Sequence, residues 1–130
     1  MKFMFAILAL AGINVSAEAQ GVAQQKMDIV SIADQFIVSS VAAKKCSQID
    51  SETEKAFQSN FLAVSIRKAQ MLKERYPQMS EEQIAEQDKN ATEMLKVKAD
   101  QVITEYGCQS PAVQQLIQRY KMQAAWKIGG

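Results

Sequence analysis

Two cysteines are the side chains of this 130-residue sequence best suited to covalent chemistry, and histidine is absent from it. Without histidine, neither a Ser-His-Asp nor a Cys-His catalytic site can form. Cys46 and Cys108 are 62 positions apart, which is too far for the C-x-x-C motif of redox enzymes. A structural zinc site needs four Cys or His ligands. The thiols therefore indicate no metal site and no redox centre, and we expect no cofactor.

Four glutamates that lie close together in the sequence are the remaining candidates for catalysis: Glu74, Glu81, Glu82 and Glu86. A glycosidase needs two carboxyl groups that face each other across a cleft. These four instead surround the predicted end of one helix and the start of the next, where we expect them to be exposed to solvent. We therefore predict that the protein is not an enzyme. A small enzyme or ligand carrier that uses these carboxylates is a minor alternative.

The first 19 residues have the layout of a secretory signal peptide. Lys2 precedes an apolar run over residues 6–12, and Ala17-Glu18-Ala19 has the A-x-A form of a cleavage site. Cleavage after Ala17 and cleavage after Ala19 both fit this pattern. Because a helix needs about 20 apolar residues to cross a bilayer, the run is too short for a stable membrane span. We expect residues 20–130 to form one exported domain, in the periplasm or in the extracellular space.

The charge and the location of that domain limit the classes of partner that it can bind. The chain has 15 basic and 14 acidic residues, and removal of Lys2 and Glu18 keeps the two counts nearly equal. Nucleic-acid binding requires clustered positive charge, which this sequence does not offer. In an oxidising compartment, two thiols most simply form one disulfide. We therefore expect a disulfide between Cys46 and Cys108 and no nucleic-acid partner.

Prolines and glycines divide the domain into four predicted helices, and no segment alternates apolar and polar residues as a strand would. The first helix is predicted over Val22 to Cys46. The second begins at a capping box formed by Ser51 and Glu54, and Pro77 ends it.

The third and fourth predicted helices have equally clear boundaries. Ser80 and Gln83 form a second capping box, and Gly107 fits the left-handed position that closes a helix. Ser110 caps the fourth helix, with Pro111 in its first turn. Short connectors make consecutive helices antiparallel, so the first and third helices end at the same pole, which brings Cys46 and Cys108 together. The prediction is an all-α, antiparallel up-down four-helix bundle with one disulfide.

Apolar residues at helical spacing predict the buried face of each helix. On the second helix they form two stripes, which predicts contact with two neighbouring helices. The second of these stripes, which we call the outer stripe, lies beside the first and consists of Leu62, Ile66, Ala69, Leu72 and Tyr76. The buried stripe predicted for the third helix consists of Ile84, Ala91, Leu95, Ala99, Val102 and Tyr106.

Several large apolar residues fall outside the strict core stripes, namely Ile32, Val38, Val97, Ile103, Met122 and Trp126. One interpretation is that they widen the buried faces. The other is that some of them line a groove for an amphipathic helix or an extended segment of a partner protein. On that interpretation, the candidate partner-binding residues are Trp126, Met122, Ile32 and Val97.

The stretch from Ser40 to Cys46, taken together with Tyr106-Gly107-Cys108, resembles the small helical pilotins of bacterial type II secretion. The resemblance rests on the cysteine spacing and the helix pattern, and it covers most of the mature chain. It implies a four-helix fold in which a disulfide of similar span ties the first helix to the last. Pilotins are lipidated and carry a secretin subunit to the outer membrane, whereas Ile13 stands here where a lipobox needs cysteine.

Two functions without catalysis follow from these observations. The first is an accessory or chaperone-like protein that binds another envelope or secreted protein. The alternative is a periplasmic immunity or inhibitor protein that blocks a toxin or a hydrolase. The sequence predicts no oligomeric state.

Overall fold

The computed structural model describes residues 28–127, which form four helices and, over that range, no strand. The helices are α1 (Ile29–Cys46), α2 (Ser51–Arg75), α3 (Glu81–Tyr106) and α4 (Pro111–Ala124). This confirms the predicted all-α bundle. The predicted signal peptide, residues 1–19, lies outside the described residues. No helix of the described part is long and apolar enough to cross a bilayer.

Aspartates, rather than the predicted residues, define the starts of the first two helices. Asp28 is extended and accepts a hydrogen bond from the amide of Ser31, so α1 begins at Ile29. The predicted start at Val22 lies outside the described residues. For α2, the prediction of a cap at Ser51 was wrong by one residue. Asp50 caps this helix because its carboxylate accepts hydrogen bonds from both the amide and the hydroxyl of Thr53.

The predicted boundaries of α3 and the predicted start of α4 are confirmed. Ser80 and Gln83 form the reciprocal capping box of α3, and Ser110 caps α4 with Pro111 in the first turn. Gly107 closes α3 with φ 88° and ψ 153°, a region that is accessible almost only to glycine and that differs in ψ from the predicted left-handed conformation. A Cβ at this position would meet no neighbouring atom, so the backbone alone explains the glycine.

Helix α1 is central and packs against the three other helices. An aromatic cluster joins α1, α2 and α4, and an aliphatic cluster joins α1, α3 and α4. The aromatic cluster consists of Ala33, Phe36, Ala43, Phe57, Val64, Tyr120 and Ala124. The aliphatic cluster consists of Ala42, Ala99, Ile103, Val113 and Ile117. The first half of α4 therefore packs against α3, and its second half packs against α2.

The Cys46–Cys108 disulfide is present, with 5.4 Å between the Cα atoms, as predicted. It joins the C-terminal ends of α1 and α3 at one pole, which we call the disulfide end. The connection between α2 and α3, residues 76–80, marks the opposite pole, the turn end. There, Arg75 pairs with Asp28 at the start of α1.

The buried face of α3 differs from the predicted one. Ile84 and Ala99 are buried as predicted, but Ile103 is buried instead of Val102 and Tyr106, which are exposed. The reason is that α3 has one principal neighbour, α1, so only a narrow stripe is covered. This narrow contact with α1 buries Ile103 and leaves Val102 and Tyr106 in solvent.

Candidate binding groove between α2 and α3

An open groove of about 770 Å³ runs between α2 and α3 near the turn end. Its size lies in the range, roughly 300–1,000 Å³, that accommodates a drug-sized molecule or a few side chains. Its walls are mostly apolar, and charged side chains lie among them. We define the α2–α3 groove by its lining residues Ile66, Ala69, Gln70, Leu72, Lys73, Glu74, Pro77, Glu81, Ile84, Ala85 and Asp88.

The groove exists because the helices differ in length. At 1.5 Å per residue, α2 with 25 residues and α3 with 26 are each roughly 38 Å long, whereas α4 with 14 residues is roughly 21 Å long. Asn60 on α2 donates hydrogen bonds to the carbonyls of Gln123 and Trp126, which places the end of α4 beside the first half of α2. Towards the turn end, α1 and α3 are therefore the only neighbours of α2 among the described helices.

The outer stripe of α2 remains largely uncovered as a result. Ile66 lines the groove and is 51% exposed, and Leu62, one turn earlier on the same stripe, is 62% exposed. The predicted second helix contact of this stripe is wrong for these two residues. Leu72 is half-buried and Ile84 is buried, so they form the covered side of the groove.

An ion pair lies at the base of the groove. Lys68 projects from the inner side of α2, is only 7% exposed, and pairs with Asp88 on α3. Asp88 also lines a second cleft of about 230 Å³ between α1, α2 and α3, so this pair stands between the two cavities. A buried ion pair adds little net stability, but loss of one partner leaves an uncompensated buried charge. The pair therefore fixes how α2 and α3 are arranged.

Asp34 lines the inner cleft and faces the same ion pair. Burial raises the pKa of its carboxyl group, the positive charge of Lys68 partly opposes this shift, and the negative charge of Asp88 adds to it. Ionisation of Asp34 therefore lowers the stability of the folded state.

Two polar contacts secure the turn end of the groove. Lys73 donates a hydrogen bond of 2.7 Å to the carbonyl of Met79, which ties the end of α2 to the connection that follows it. Arg75 pairs with Asp28 at 3.2 Å. The hydrogen bond from the Ser31 amide, followed by the one from Arg75, lowers the pKa of the Asp28 carboxyl group. The aspartate therefore caps α1 and anchors α2 at once.

The candidate partner-binding residues from the sequence lie outside this groove. Trp126 is 42% exposed, and its ring contacts Phe36 edge-on at 5.3 Å. Ile32 is half-buried against the same aromatic cluster. Met122 on α4 and Val97 on α3 are exposed and belong to neither core cluster. The structure thus brings Ile32 and Trp126 to one cluster and leaves Met122 and Val97 outside it.

The other two residues outside the predicted stripes belong to the aliphatic core. Ile103 is buried there, and Val38 is half-buried against it. For these two, widening of the buried faces is the correct interpretation.

No family model, curated protein or solved structure matches this chain significantly. The resemblance to pilotins therefore stays a prediction from the cysteine spacing and the helix pattern.

The α2–α3 groove was not predicted from the sequence, because the spacing of the outer stripe of α2 also fits packing against a second helix. A stripe of this kind looks the same in sequence whether a neighbouring helix or a partner covers it. The lengths of the predicted helices did contain a signal. The second and third helices are longer than the fourth, which therefore cannot cover their whole length.

Proposed function

We propose that this protein is an exported, non-catalytic accessory protein that binds a segment of a partner protein in the α2–α3 groove. The observation that carries the proposal is that Ile66 in the groove wall and Leu62, one turn before it, are exposed. Leu72 and Ile84 in the same wall are covered. An apolar stripe with no neighbour among residues 28–127 is typical of a surface that receives an amphipathic helix.

Burial of this stripe would supply part of the free energy of binding. Full burial of a leucine or isoleucine contributes about 1.5–3 kcal/mol. Since Leu62 and Ile66 keep half or more of their surface exposed, covering them supplies roughly 1 kcal/mol each. Replacement of both by glutamine, which also favours helix, is expected to weaken binding about 30-fold.

The available side chains also favour a role without catalysis. The chain has no histidine, and its two cysteines are joined in the disulfide. The disulfide itself favours an oxidising compartment, as does the predicted signal peptide. These features support the periplasm as the site of action.

The test is photo-crosslinking in the native host. A photo-reactive amino acid replaces Gln70, an exposed residue that lines the groove, and, as the control, Gln101, an exposed residue of α3 outside it. We expect one partner protein to be captured at position 70 and not at position 101. The double substitution Leu62→Gln and Ile66→Gln, on the same background, should remove that product.

A matched variant guards against a general effect of lost apolar surface. Met94 and Val97 form a comparably exposed pair on α3 outside the groove, so Met94→Gln with Val97→Gln should leave the crosslink intact. Loss of the product in this control, but not in the groove variant, would contradict the proposal. If the captured protein is a toxin or a hydrolase that the protein inhibits, the immunity function replaces the accessory one.

A further inference from the structure

We infer that the segment bound by the α2–α3 groove is a basic amphipathic helix, an inference that rests on the proposed function. Its apolar side chains would cover Leu62 and Ile66. Its lysine or arginine side chains would face the glutamates that border the groove. The inference that the segment is basic rests on the distribution of charged side chains around the groove.

The turn end also has basic side chains, and two of them form ion pairs within the molecule. Between positions 68 and 88 there are three of them. Lys68 pairs with Asp88, Arg75 pairs with Asp28, and Lys73 donates a hydrogen bond to the Met79 carbonyl. Lys73 keeps its positive charge because a carbonyl is neutral, and the exposed Arg67 and Lys89 lie one position outside this range.

The glutamates of the same region form no ion pair within residues 28–127. Glu74 and Glu81 line the α2–α3 groove, and Glu82 and Glu86 lie on the adjoining surface of α3. Among the side chains that line the groove, Glu74, Glu81 and Asp88 are acidic and Lys73 is basic, so the lining is acidic although the chain as a whole has a net charge of +1. A partner with basic side chains would therefore find complementary charge here.

Helix stability explains only part of this acidic border. Glu81 and Glu82 lie in the first turn of α3, where negative charge stabilises the helix. Glu74 lies in the last turn of α2, where negative charge is unfavourable. The helix dipole therefore does not explain Glu74, which lines the groove wall.

The apolar spacing favours a short helix as the occupant. Leu62, Ile66 and Ala69 follow one another at intervals of four and three residues on α2. They span roughly 10 Å along the helix axis, or about two turns. A partner helix would meet this stripe with two or three apolar residues at the same intervals.

The test uses two fluorescein-labelled 18-residue helical peptides with identical leucine positions. One has lysine and the other glutamate at the remaining charged positions. Fluorescence anisotropy measures their binding to the mature, disulfide-bonded protein at 50 and 300 mM NaCl. We expect the lysine peptide to bind at least tenfold more tightly than the glutamate peptide. This preference should shrink at the higher salt concentration, because exposed charges are screened.

Three variants locate the charge effect. Glu74→Gln with Glu81→Gln removes two groove glutamates and should weaken binding of the lysine peptide about three- to tenfold. Glu52→Gln with Glu105→Gln removes the same charge at the disulfide end and should change binding less than twofold. Leu62→Gln with Ile66→Gln should abolish most of the binding.

The outcomes separate this inference from the proposed function. If Leu62→Gln with Ile66→Gln weakens both peptides equally and Glu74→Gln with Glu81→Gln has no effect, the groove binds but the charge inference is wrong. Equal losses in the two glutamate variants would show non-specific attraction and would also overturn it. If the lysine peptide binds equally well without Leu62 and Ile66, the groove itself is refuted, and with it the proposed function.

Discussion

Removal of the disulfide should destabilise the protein strongly and unevenly. The bond closes a loop with a sequence separation of 62 residues. In the chain-entropy model, a loop of this size contributes about 4 kcal/mol by restricting the unfolded state. Small domains have net stabilities of roughly 5–15 kcal/mol, so the variant Cys46→Ser with Cys108→Ser should remain folded with little margin.

The loss should be greatest in α3. This helix buries only Ile84, Ala99 and Ile103 among its apolar residues, and the disulfide fixes its end to α1. The aromatic cluster joins α1, α2 and α4 without α3, and it should keep these three helices together. Local opening of α3 should therefore precede global unfolding.

Urea unfolding followed by circular dichroism measures the loss of global stability. For a domain with an m-value of about 1–2 kcal/mol per M, the midpoint should fall by about 2–4 M. Hydrogen exchange measures the local opening of α3. Amides of residues 81–106 should lose more protection than those of residues 111–124. A midpoint change of less than about 0.5 M, or equal loss of protection in α3 and α4, would refute the reasoning.

Three further predictions concern polar side chains that are buried or half-buried in the bundle. The Tyr120 hydroxyl is buried and has no hydrogen-bond partner among residues 28–127, so Tyr120→Phe should raise stability by about 1 kcal/mol in urea unfolding; a loss would contradict this. Ser39 donates a hydrogen bond to buried Gln123, so Ser39→Ala should cost about 1–3 kcal/mol in the same assay, and no loss would show that the amide finds another partner. Burial raises the pKa of Asp34, so its ionised form destabilises the fold as pH rises above about 3.8. Asp34→Asn should therefore have a higher Tm than wild type at pH 7, and the difference should vanish near pH 3; a constant difference would exclude titration of Asp34 as its cause.

Helix boundaries and the disulfide could be predicted from sequence because their causes are local or topological. The capping box at Ser80 and the proline at Pro111 act within one helical turn, so their sequence pattern is sufficient. The pairing of Cys46 with Cys108 follows from the alternating direction of the helices. The cap of α2 was misassigned to Ser51 because two adjacent residues could both act as caps. In the structure, the Asp50 carboxylate makes two hydrogen bonds to Thr53.

The exposed faces could not be predicted, because exposure depends on which helices are neighbours. Periodicity marks an apolar stripe, but it does not say whether another helix covers it. Val102 was placed in the core and Ile103 outside it because the sequence does not show that α3 packs mainly against α1. The exposure of Leu62 and Ile66 likewise depends on where α4 ends.

Hydrogen exchange of the protein with and without its crosslinked partner, purified from the host, tests the binding groove most directly. Binding should slow exchange in residues 62–74 of α2 and 81–88 of α3, with little change around Met122 and Trp126. Slowing confined to α4 and the residues that follow it, with α2 and α3 unchanged, would contradict the assignment of the groove as the binding surface.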